Sequence, residues 1–231
     1  MSENIKKIMK AFVVDLNSRE NQNILKPSAR PFNNQAHQVD EVVKKIYELI
    51  EDAKHSNDDI ILNHNKIKEA FFSPFKPQLK NAQVFLSYSH ADKNKALKVK
   101  NYLESETNHR VFIDSLFWDY KDNVLNELAK YDNTSKIKDA FTLILRESLQ
   151  DMIEKCPYFV FLQSNNSVSN QGLSCTTYSA WIYEELKIAH SIRESRLTPM
   201  TESWQVSHDI LPFLESLETI TLKELSRIIN S

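Results

Sequence analysis

Trp181 and Glu185 are the two side chains whose types and spacing point most directly to chemistry. They stand four positions apart in a segment with helical periodicity, which places them one turn apart on the same helix face. A carboxylate beside an indole ring is partly desolvated, which either raises its pKa or requires a hydrogen-bond partner. A carboxylate fixed in this way can stabilise positive charge on a bound substrate, and the aromatic ring can stack against a cationic ring.

A second group of candidate site residues follows two apolar runs that have the composition of buried parallel strands. The residues after the first run (84–86) are Ser87, Tyr88, Ser89 and His90, and those after the second run (111–113) include Asp114, Ser115, Phe117 and Trp118. Ligands of parallel α/β sheets bind beyond the carboxyl ends of the strands. These residues, together with 163–167 after a third apolar run, therefore stand where such a sheet would have its ligand crevice.

The elements that position these residues alternate between strands and helices. Strands are predicted at 84–86, 111–113 and 158–162, and helices at 92–106, 137–155 and 177–193, with Ser89 or Asp92 as the N-cap of the first helix. A short strand or turn at 220–222 precedes a terminal helix at 223–229. This alternation predicts an α/β fold with a mostly parallel sheet covered on both faces.

The first 80 residues have a different pattern. A stretch rich in Asn, Gln, Pro and Ser precedes an amphipathic helix whose apolar positions run from Val39 to Ile50, and a weaker helix is predicted at 65–72. The sequence therefore predicts a division near residue 80. Residues 1–80 would form a mainly helical regulatory or assembly segment, and residues 81–231 would form the α/β domain.

Composition excludes several classes of site. Gly172 is the only glycine, which rules out the glycine-rich phosphate loops of nucleotide-binding proteins. The net charge of -2 argues against a nucleic-acid partner. The two cysteines, Cys156 and Cys175, are too few for a disulfide framework, and the histidines show no metal-ligand spacing with them. These spacings predict no metal site. Because no apolar run is long enough for a membrane span or a signal peptide, we expect a cytoplasmic protein.

Two segments resemble motifs of the TIR (Toll/interleukin-1 receptor) domain family. Gln83-Val-Phe-Leu-Ser-Tyr-Ser-His-Ala-Asp-Lys93 is similar to that family's opening strand, its turn rich in Ser and His, and its Asp-Lys helix start. Ser179-Ala-Trp-Ile-Tyr-Glu-Glu-Leu186 resembles the family's Ser-x-Trp-x-x-x-Glu-Leu segment. Between them, residues 158–165 are similar to the central strand and its serine-containing exit loop. The resemblance covers residues 81–231 and is closest to stand-alone bacterial TIR proteins, although residues 114–119 lack the glycine that the family often has after the second strand.

The resemblance implies a flavodoxin-like, doubly wound sheet and an NAD-consuming enzyme (an NADase). Such an enzyme is a hydrolase or cyclase that cleaves the nicotinamide–ribose bond and yields ADP-ribose or a cyclic ADP-ribose-type signal. NAD is then the substrate, and no cofactor is needed. By this resemblance Glu185 is catalytic, while Trp181, Ser179 and the residues named above after the first and second apolar runs bind the substrate. It also implies self-association through the TIR domain into an oligomer, a downstream effector protein as a partner, and signalling in bacterial antiviral (anti-phage) defence.

Simpler interpretations remain open for the same residues. Glu185 can be a solvated helix glutamate, Trp181 a core aromatic residue, and His90 a turn residue. A non-catalytic TIR adaptor that acts only by pairing with other TIR domains is the second functional hypothesis. A response-regulator receiver fits less well, because Ser87 and its neighbours stand where that fold requires clustered acidic residues.

Overall fold

The computed structural model describes residues 9–25, 39–54, 63–73, 81–113, 122–127, 129, 135–171, 174–194 and 208–231. Its contacts divide the chain into two compact units. The sheet unit comprises Met1–Phe32, Asn81–Ile113 and Gln150–Ser231, and the helical unit comprises Asn33–Lys80 and Asp114–Leu149.

The secondary structure alternates between strands and helices along most of the chain. The strands are β1 (Lys10–Asp15), β2 (Ala82–Ser87), β3 (Arg110–Ile113), β4 (Tyr158–Gln163), β5 (Ser169–Gln171), β6 (Ser174–Thr177), β7 (His208–Asp209) and β8 (Glu218–Thr219). The helices are α1 (Arg19–Ile24), α2 (Val39–Lys54), α3 (His64–Phe72), α4 (Lys93–Glu106), α5 (Ser135–Lys155), α6 (Ala180–Glu194), α7 (Leu211–Leu214) and α8 (Leu222–Asn230). A 3-10 turn at His90–Asp92 precedes α4, and residues 122–127 form a further short helical segment.

Five strands form one sheet, in the order β3-β2-β4-β1-β8, and every pair in it is parallel. The central strand β4 pairs with β1 along its whole length, from Tyr158 opposite Lys10 to Gln163 opposite Asp15. The Phe85 ring of β2 stacks on the Phe159 ring of β4, with centroids 5.8 Å apart. The parallel order of the strands confirms the predicted α/β class and its mostly parallel sheet.

The position of β1 differs from the sequence-based division at residue 80. This strand lies between β4 and β8, and its residues Phe12, Val13 and Val14 are buried, because the run at 11–14 is apolar enough to be covered on both faces of the sheet. The order is consistent with a flavodoxin-like sheet, whose strands run 2-1-3-4-5. Here, however, the fourth position is occupied by a strand from the N-terminal end of the chain. Residues 1–80 therefore contribute to the sheet and are not only a helical appendage.

The C-terminal helix α8 is held at both ends by residues of the sheet unit. Thr221 and Glu224 form a capping box at its start. The buried Asn21 side chain accepts a 2.9 Å hydrogen bond from the Leu222 amide and donates one of 2.8 Å to the Asp15 carbonyl. At the other end, the side-chain amide of Asn230 donates a hydrogen bond to the backbone carbonyl of Glu106 in α4. The N-terminal segment thus stabilises the last helix as well as the sheet.

A small antiparallel sheet, β5-β6-β7, accompanies the main sheet. It was not predicted, because its strands have only two to four residues each and show no alternation of apolar and polar residues. Strand β6 leads through Thr177 directly into the start of α6. The small sheet therefore fixes the N-terminal end of the helix that carries Trp181 and Glu185.

The helical unit contains α2, α3 and the first part of α5. The amphipathic pattern of α2 is confirmed by its buried residues Val42, Val43 and Ile46. The Phe71 ring of α3 meets the Phe141 ring of α5 edge-on, at a centroid distance of 5.2 Å. Among the described residues of the whole chain, no helix has both the length and the hydrophobicity that crossing a membrane requires.

Candidate functional site

The N-terminal end of α6 is built by side-chain caps. Ser179 lies immediately before the helix, and its hydroxyl oxygen accepts a 3.3 Å hydrogen bond from the Ile182 amide. The Thr177 hydroxyl oxygen accepts one of 3.2 Å from the Ser179 amide. Ser179, predicted from the resemblance to bind substrate, therefore has a capping contact with its own helix. This cap sets the direction in which the helix presents Trp181 and Glu185.

Glu185 lies in contact with the end of β2. Its Oε2 atom accepts a hydrogen bond of 2.5 Å from the Ser87 hydroxyl, a residue 98 positions earlier in the sequence. Glu185 is 1% exposed and Ser87 is 0% exposed. The structure thus brings together the two motifs that carried the family resemblance, and it supplies the hydrogen-bond partner that a desolvated carboxylate requires.

Trp181 and Tyr178 lie near the start of the same helix and are more exposed than Glu185. Trp181 is half-buried, one helical turn before the carboxylate. Tyr178 precedes the helix and is 64% exposed. Trp181 is therefore partly accessible to solvent, whereas Glu185, one turn further along the helix, is buried.

The other predicted crevice residues have different environments. Tyr88 is buried, Ser89 is half-buried, and His90 is exposed at the start of the 3-10 turn. The Ser89 carbonyl accepts a 2.7 Å hydrogen bond from the Asp92 amide, which closes that turn. The remaining predicted residues lie outside the described part of the chain: Asp114, Ser115, Phe117 and Trp118.

Asp92 was predicted as a helix N-cap, but its side chain makes no capping hydrogen bond, and neither does that of Ser89. The Asp92 carboxylate, 3% exposed, is instead directed to the loop after β4. It accepts hydrogen bonds from the Ser164 hydroxyl and, at 3.1 Å, from the Asn166 side-chain amide. The Lys95 ammonium lies 2.9 Å from its Oδ1 atom.

These contacts determine the charge state of Asp92. Burial by itself raises the pKa of this carboxyl. Hydrogen bonds from Ser164, Lys95 and Asn166, together with the positive charge of the lysine, outweigh burial, so the pKa of Asp92 lies below the ordinary aspartate value. Asp92 is therefore a buried anion at neutral pH.

The loop after β4 is itself organised by serine hydroxyls. The Ser164 oxygen accepts hydrogen bonds from the amides of Asn166 (3.0 Å) and Ser167 (3.2 Å). The Ser167 hydroxyl in turn accepts one of 2.8 Å from the Ser164 amide. The side chain of Asn165 accepts a 3.2 Å hydrogen bond from that of Asn17, which follows β1. Hydrogen bonds therefore connect the loops at the carboxyl ends of β1, β2 and β4.

An aromatic cluster covers another part of α6. The Tyr183 ring stacks on the His208 ring at 4.6 Å and contacts the Phe213 ring at 5.6 Å. The Arg193 guanidinium donates a 2.6 Å hydrogen bond to the Ser216 carbonyl. These contacts attach the small antiparallel sheet and α7 to α6, and they give the helix that carries Glu185 a rigid support.

No metal centre is assembled from the residues that the structure describes, since no three His, Cys, Asp or Glu side chains among them are placed to hold an ion. Both cysteines are thiols and form no disulfide. Burial raises the pKa of the Cys156 thiol to about 12, which the positive charge of Lys155 opposes only in part. Cys156 is therefore a core residue and not a nucleophile.

In comparisons with known proteins, no family model matches the sequence, and neither the curated proteins nor the solved structures give a match. The arrangement at the carboxyl edge of the sheet is thus the observation on which a functional argument must rest. It offers one buried carboxyl group held by a hydroxyl, an aromatic residue one helical turn before it, and a second buried carboxylate that joins two loops.

Proposed function

We propose that this protein is an NAD-consuming enzyme of the TIR type, in which Glu185 acts on the ribose attached to nicotinamide. The observation that carries this proposal is the hydrogen bond between the Ser87 hydroxyl and Glu185 Oε2. It joins the strand-end motif and the Trp-x-x-x-Glu motif into one site at the edge of the parallel sheet where ligands bind in α/β folds.

The proposed reaction begins with cleavage of the bond between the ribose C1′ atom and the nicotinamide nitrogen. The electron pair of that bond leaves with nicotinamide, which departs as a neutral molecule and needs no proton. Positive charge then develops on the ribose, and the Glu185 carboxylate stabilises it, as carboxylates do in glycoside hydrolysis. Trp181, half-buried one turn away, offers its ring for stacking against the cationic nicotinamide before cleavage.

The second half of the reaction depends on the acceptor at C1′. Attack by water releases a proton and gives ADP-ribose. Attack by a nucleophilic atom of the same molecule gives a cyclic product, with the proton again released to solvent. Both outcomes use the same carboxylate, and both fit a role in nucleotide signalling or NAD depletion during antiviral defence.

The burial of Glu185 has a consequence for substrate binding. Because this carboxylate is 1% exposed, a ribose can reach it only after the surrounding groups move. Assembly of several copies is one way to supply the energy for such a change, since binding to a partner favours the competent conformation. We therefore propose that the specific activity, the rate per protein molecule, increases with protein concentration.

A non-catalytic TIR adaptor is the second candidate, and the same burial favours it. In that case the Ser87–Glu185 hydrogen bond serves only to fasten α6 to the end of β2. The protein would then act through self-association or through binding to an effector protein, without any change to NAD.

An assay with NAD separates the two candidates. The full chain is incubated with NAD over a wide range of protein concentration, with and without a crowding agent. Nicotinamide and the nucleotide products are then identified by chromatography with mass detection. A rate of nicotinamide release that rises more steeply than the protein concentration supports an enzyme that is activated by self-association. NAD that stays intact at every concentration supports the adaptor.

A further inference from the structure

Asp92 occupies a position that the chemistry proposed above does not use. It is a buried anion with hydrogen-bond donors from two different elements: Lys95 from α4, and Ser164 and Asn166 from the loop after β4. Burying a charge is unfavourable, and several hydrogen bonds are needed to offset the loss of hydration. Helix capping does not explain this carboxylate, because its side chain makes no capping hydrogen bond.

The segment from Ser87 to Asp92 is held at both of its ends. At its start, the Ser87 hydroxyl donates to Glu185. At its end, Asp92 accepts from the loop after β4, and its amide donates to the Ser89 carbonyl across the 3-10 turn. This segment has six residues, from Ser87, whose hydroxyl holds Glu185, to Asp92, whose carboxylate is anchored to the loop after β4.

We infer that Asp92 is a positioning residue, which keeps the strand-end segment in place so that Ser87 holds the Glu185 carboxylate in one orientation. This inference rests on the proposed function in one respect only, namely that the orientation of Glu185 matters for reaction with NAD. Asp92 itself touches no reacting atom. It acts through the segment that ends at Ser87.

Two neighbouring asparagines provide a matched pair for the test. Asn165 and Asn166 are both exposed and belong to the same loop after β4. Asn166 donates to Asp92, whereas Asn165 bonds to Asn17 of another loop. Asn166→Ala therefore removes one hydrogen bond to Asp92. Asn165→Ala also removes a side-chain hydrogen bond of this loop, but one that does not involve Asp92. Asp92→Asn keeps the size of the side chain and removes its charge.

The experiment measures the accessibility of Glu185 directly in the full-length protein. A carbodiimide and an amine convert accessible carboxyl groups to amides, and mass spectrometry of peptides quantifies the product at Glu185, with the exposed Glu218 as an internal reference. Hydrogen exchange of segment 83–92, the thermal midpoint, and kcat and KM for NAD are measured on the same samples.

We expect Asp92→Asn and Asn166→Ala to raise the labelling of Glu185 relative to Glu218, by roughly fivefold or more in Asp92→Asn, because a buried hydrogen bond to a charged group is lost. Exchange should rise in segment 83–92 and remain unchanged in β1 and in the core of β4. The kcat for NAD should fall by about tenfold, because small displacements of a catalytic group are costly. Asn165→Ala should behave like the unaltered protein in every measurement.

The possible failures are distinguishable. Unchanged labelling of Glu185 in folded Asp92→Asn overturns the inference, whatever happens to NAD. Equal effects of Asn165→Ala and Asn166→Ala also overturn it, as does a uniform rise in exchange over the whole sheet, since each indicates general destabilisation. Increased labelling in a protein that never consumes NAD supports the positioning of Glu185 by Asp92 and contradicts the proposed function alone.

Discussion

The Ser87 hydroxyl donates a hydrogen bond to the Glu185 carboxylate, and this contact joins the carboxyl end of β2 to the second turn of α6. Both side chains are buried, so their interaction is shielded from solvent. Breaking a buried hydrogen bond is costly, because the group that loses its partner has no water to replace it. The candidate site is therefore also a structural junction.

The first prediction concerns the strength of this contact. Ser87→Ala should lower the free energy of unfolding by about 1–3 kcal/mol, because a buried carboxylate oxygen loses its donor. Urea denaturation measures the change. In Glu185→Gln the same serine substitution should cost less, because the acceptor is then a carboxamide and no longer the carboxyl group of the native pair. Ser105→Ala, at an exposed serine whose hydroxyl donates to the Tyr102 carbonyl of its own helix, is the control and should change little. Equal costs in both backgrounds would contradict a specific Ser87–Glu185 interaction.

The second prediction concerns β1. A shortened protein comprising residues 81–231 should fail to fold cooperatively, because it lacks the strand that lies between β4 and β8. Phe12→Ala in the full chain should cost about 3–5 kcal/mol, the usual loss for a large core side chain. Circular dichroism and thermal unfolding measure both effects. A stable, cooperative 81–231 fragment would show that β1 is dispensable to the sheet.

Much of the fold was predictable because its signals are local. The apolar run of β4 and the helical periodicity of α5 identify these elements within one or two residues of their observed ends. The run at residues 11–14 is equally apolar, but only its pairing with β4 and β8 makes it a strand of the main sheet. Pairings between distant residues are not visible in a local pattern. This is why the division at residue 80 misplaced β1.

The candidate site shows the same distinction between local and distant signals. The spacing of Trp181 and Glu185 on one helix follows from the sequence alone. The capping contact of Ser179 was not predicted, because the helix was expected to begin at residue 177, whereas it begins at Ala180. Two of the three partners of Asp92, Ser164 and Asn166, lie 72 and 74 positions away in the sequence. No local pattern distinguishes this aspartate from an ordinary N-cap.

The third prediction concerns the cysteines. In the folded protein Cys156 should resist alkylation even at pH 8–9, because it is buried and its pKa is raised to about 12. Cys175 is half-buried and should react first. Mass spectrometry after a short exposure to iodoacetamide locates the modification, and Cys175→Ser should reduce labelling to the background level. Rapid modification of Cys156 under native conditions would contradict its position in the core.

The fourth prediction concerns stability at low pH. The pKa of Asp92 is lower in the folded state than in the unfolded chain, where aspartate titrates near about 3.9. The folded state therefore gains stability from the ionised carboxylate above this pH, and the gain is lost as the pH falls toward the folded pKa. The difference in unfolding free energy between the unaltered protein and Asp92→Asn should be constant from pH 5 to 7 and should shrink below about pH 4. Denaturation at several pH values measures it. A difference that grows as the pH falls would have the wrong sign for a stabilised anion.

The most direct test of the account compares two neighbouring glutamates. Glu184 and Glu185 are adjacent on α6 and both are buried, but the hydrogen bond from Ser87 goes to Glu185. Glu185→Gln and Glu184→Gln make the same chemical change one residue apart, and unfolding curves confirm that both proteins are folded. Nicotinamide release from NAD is then measured at equal concentrations. We predict that Glu185→Gln lowers the rate by about 10² to 10⁴, the usual cost of removing a catalytic side chain, whereas Glu184→Gln retains most of it. Release that survives in Glu185→Gln, or falls equally in both, would contradict the assignment of catalysis to Glu185.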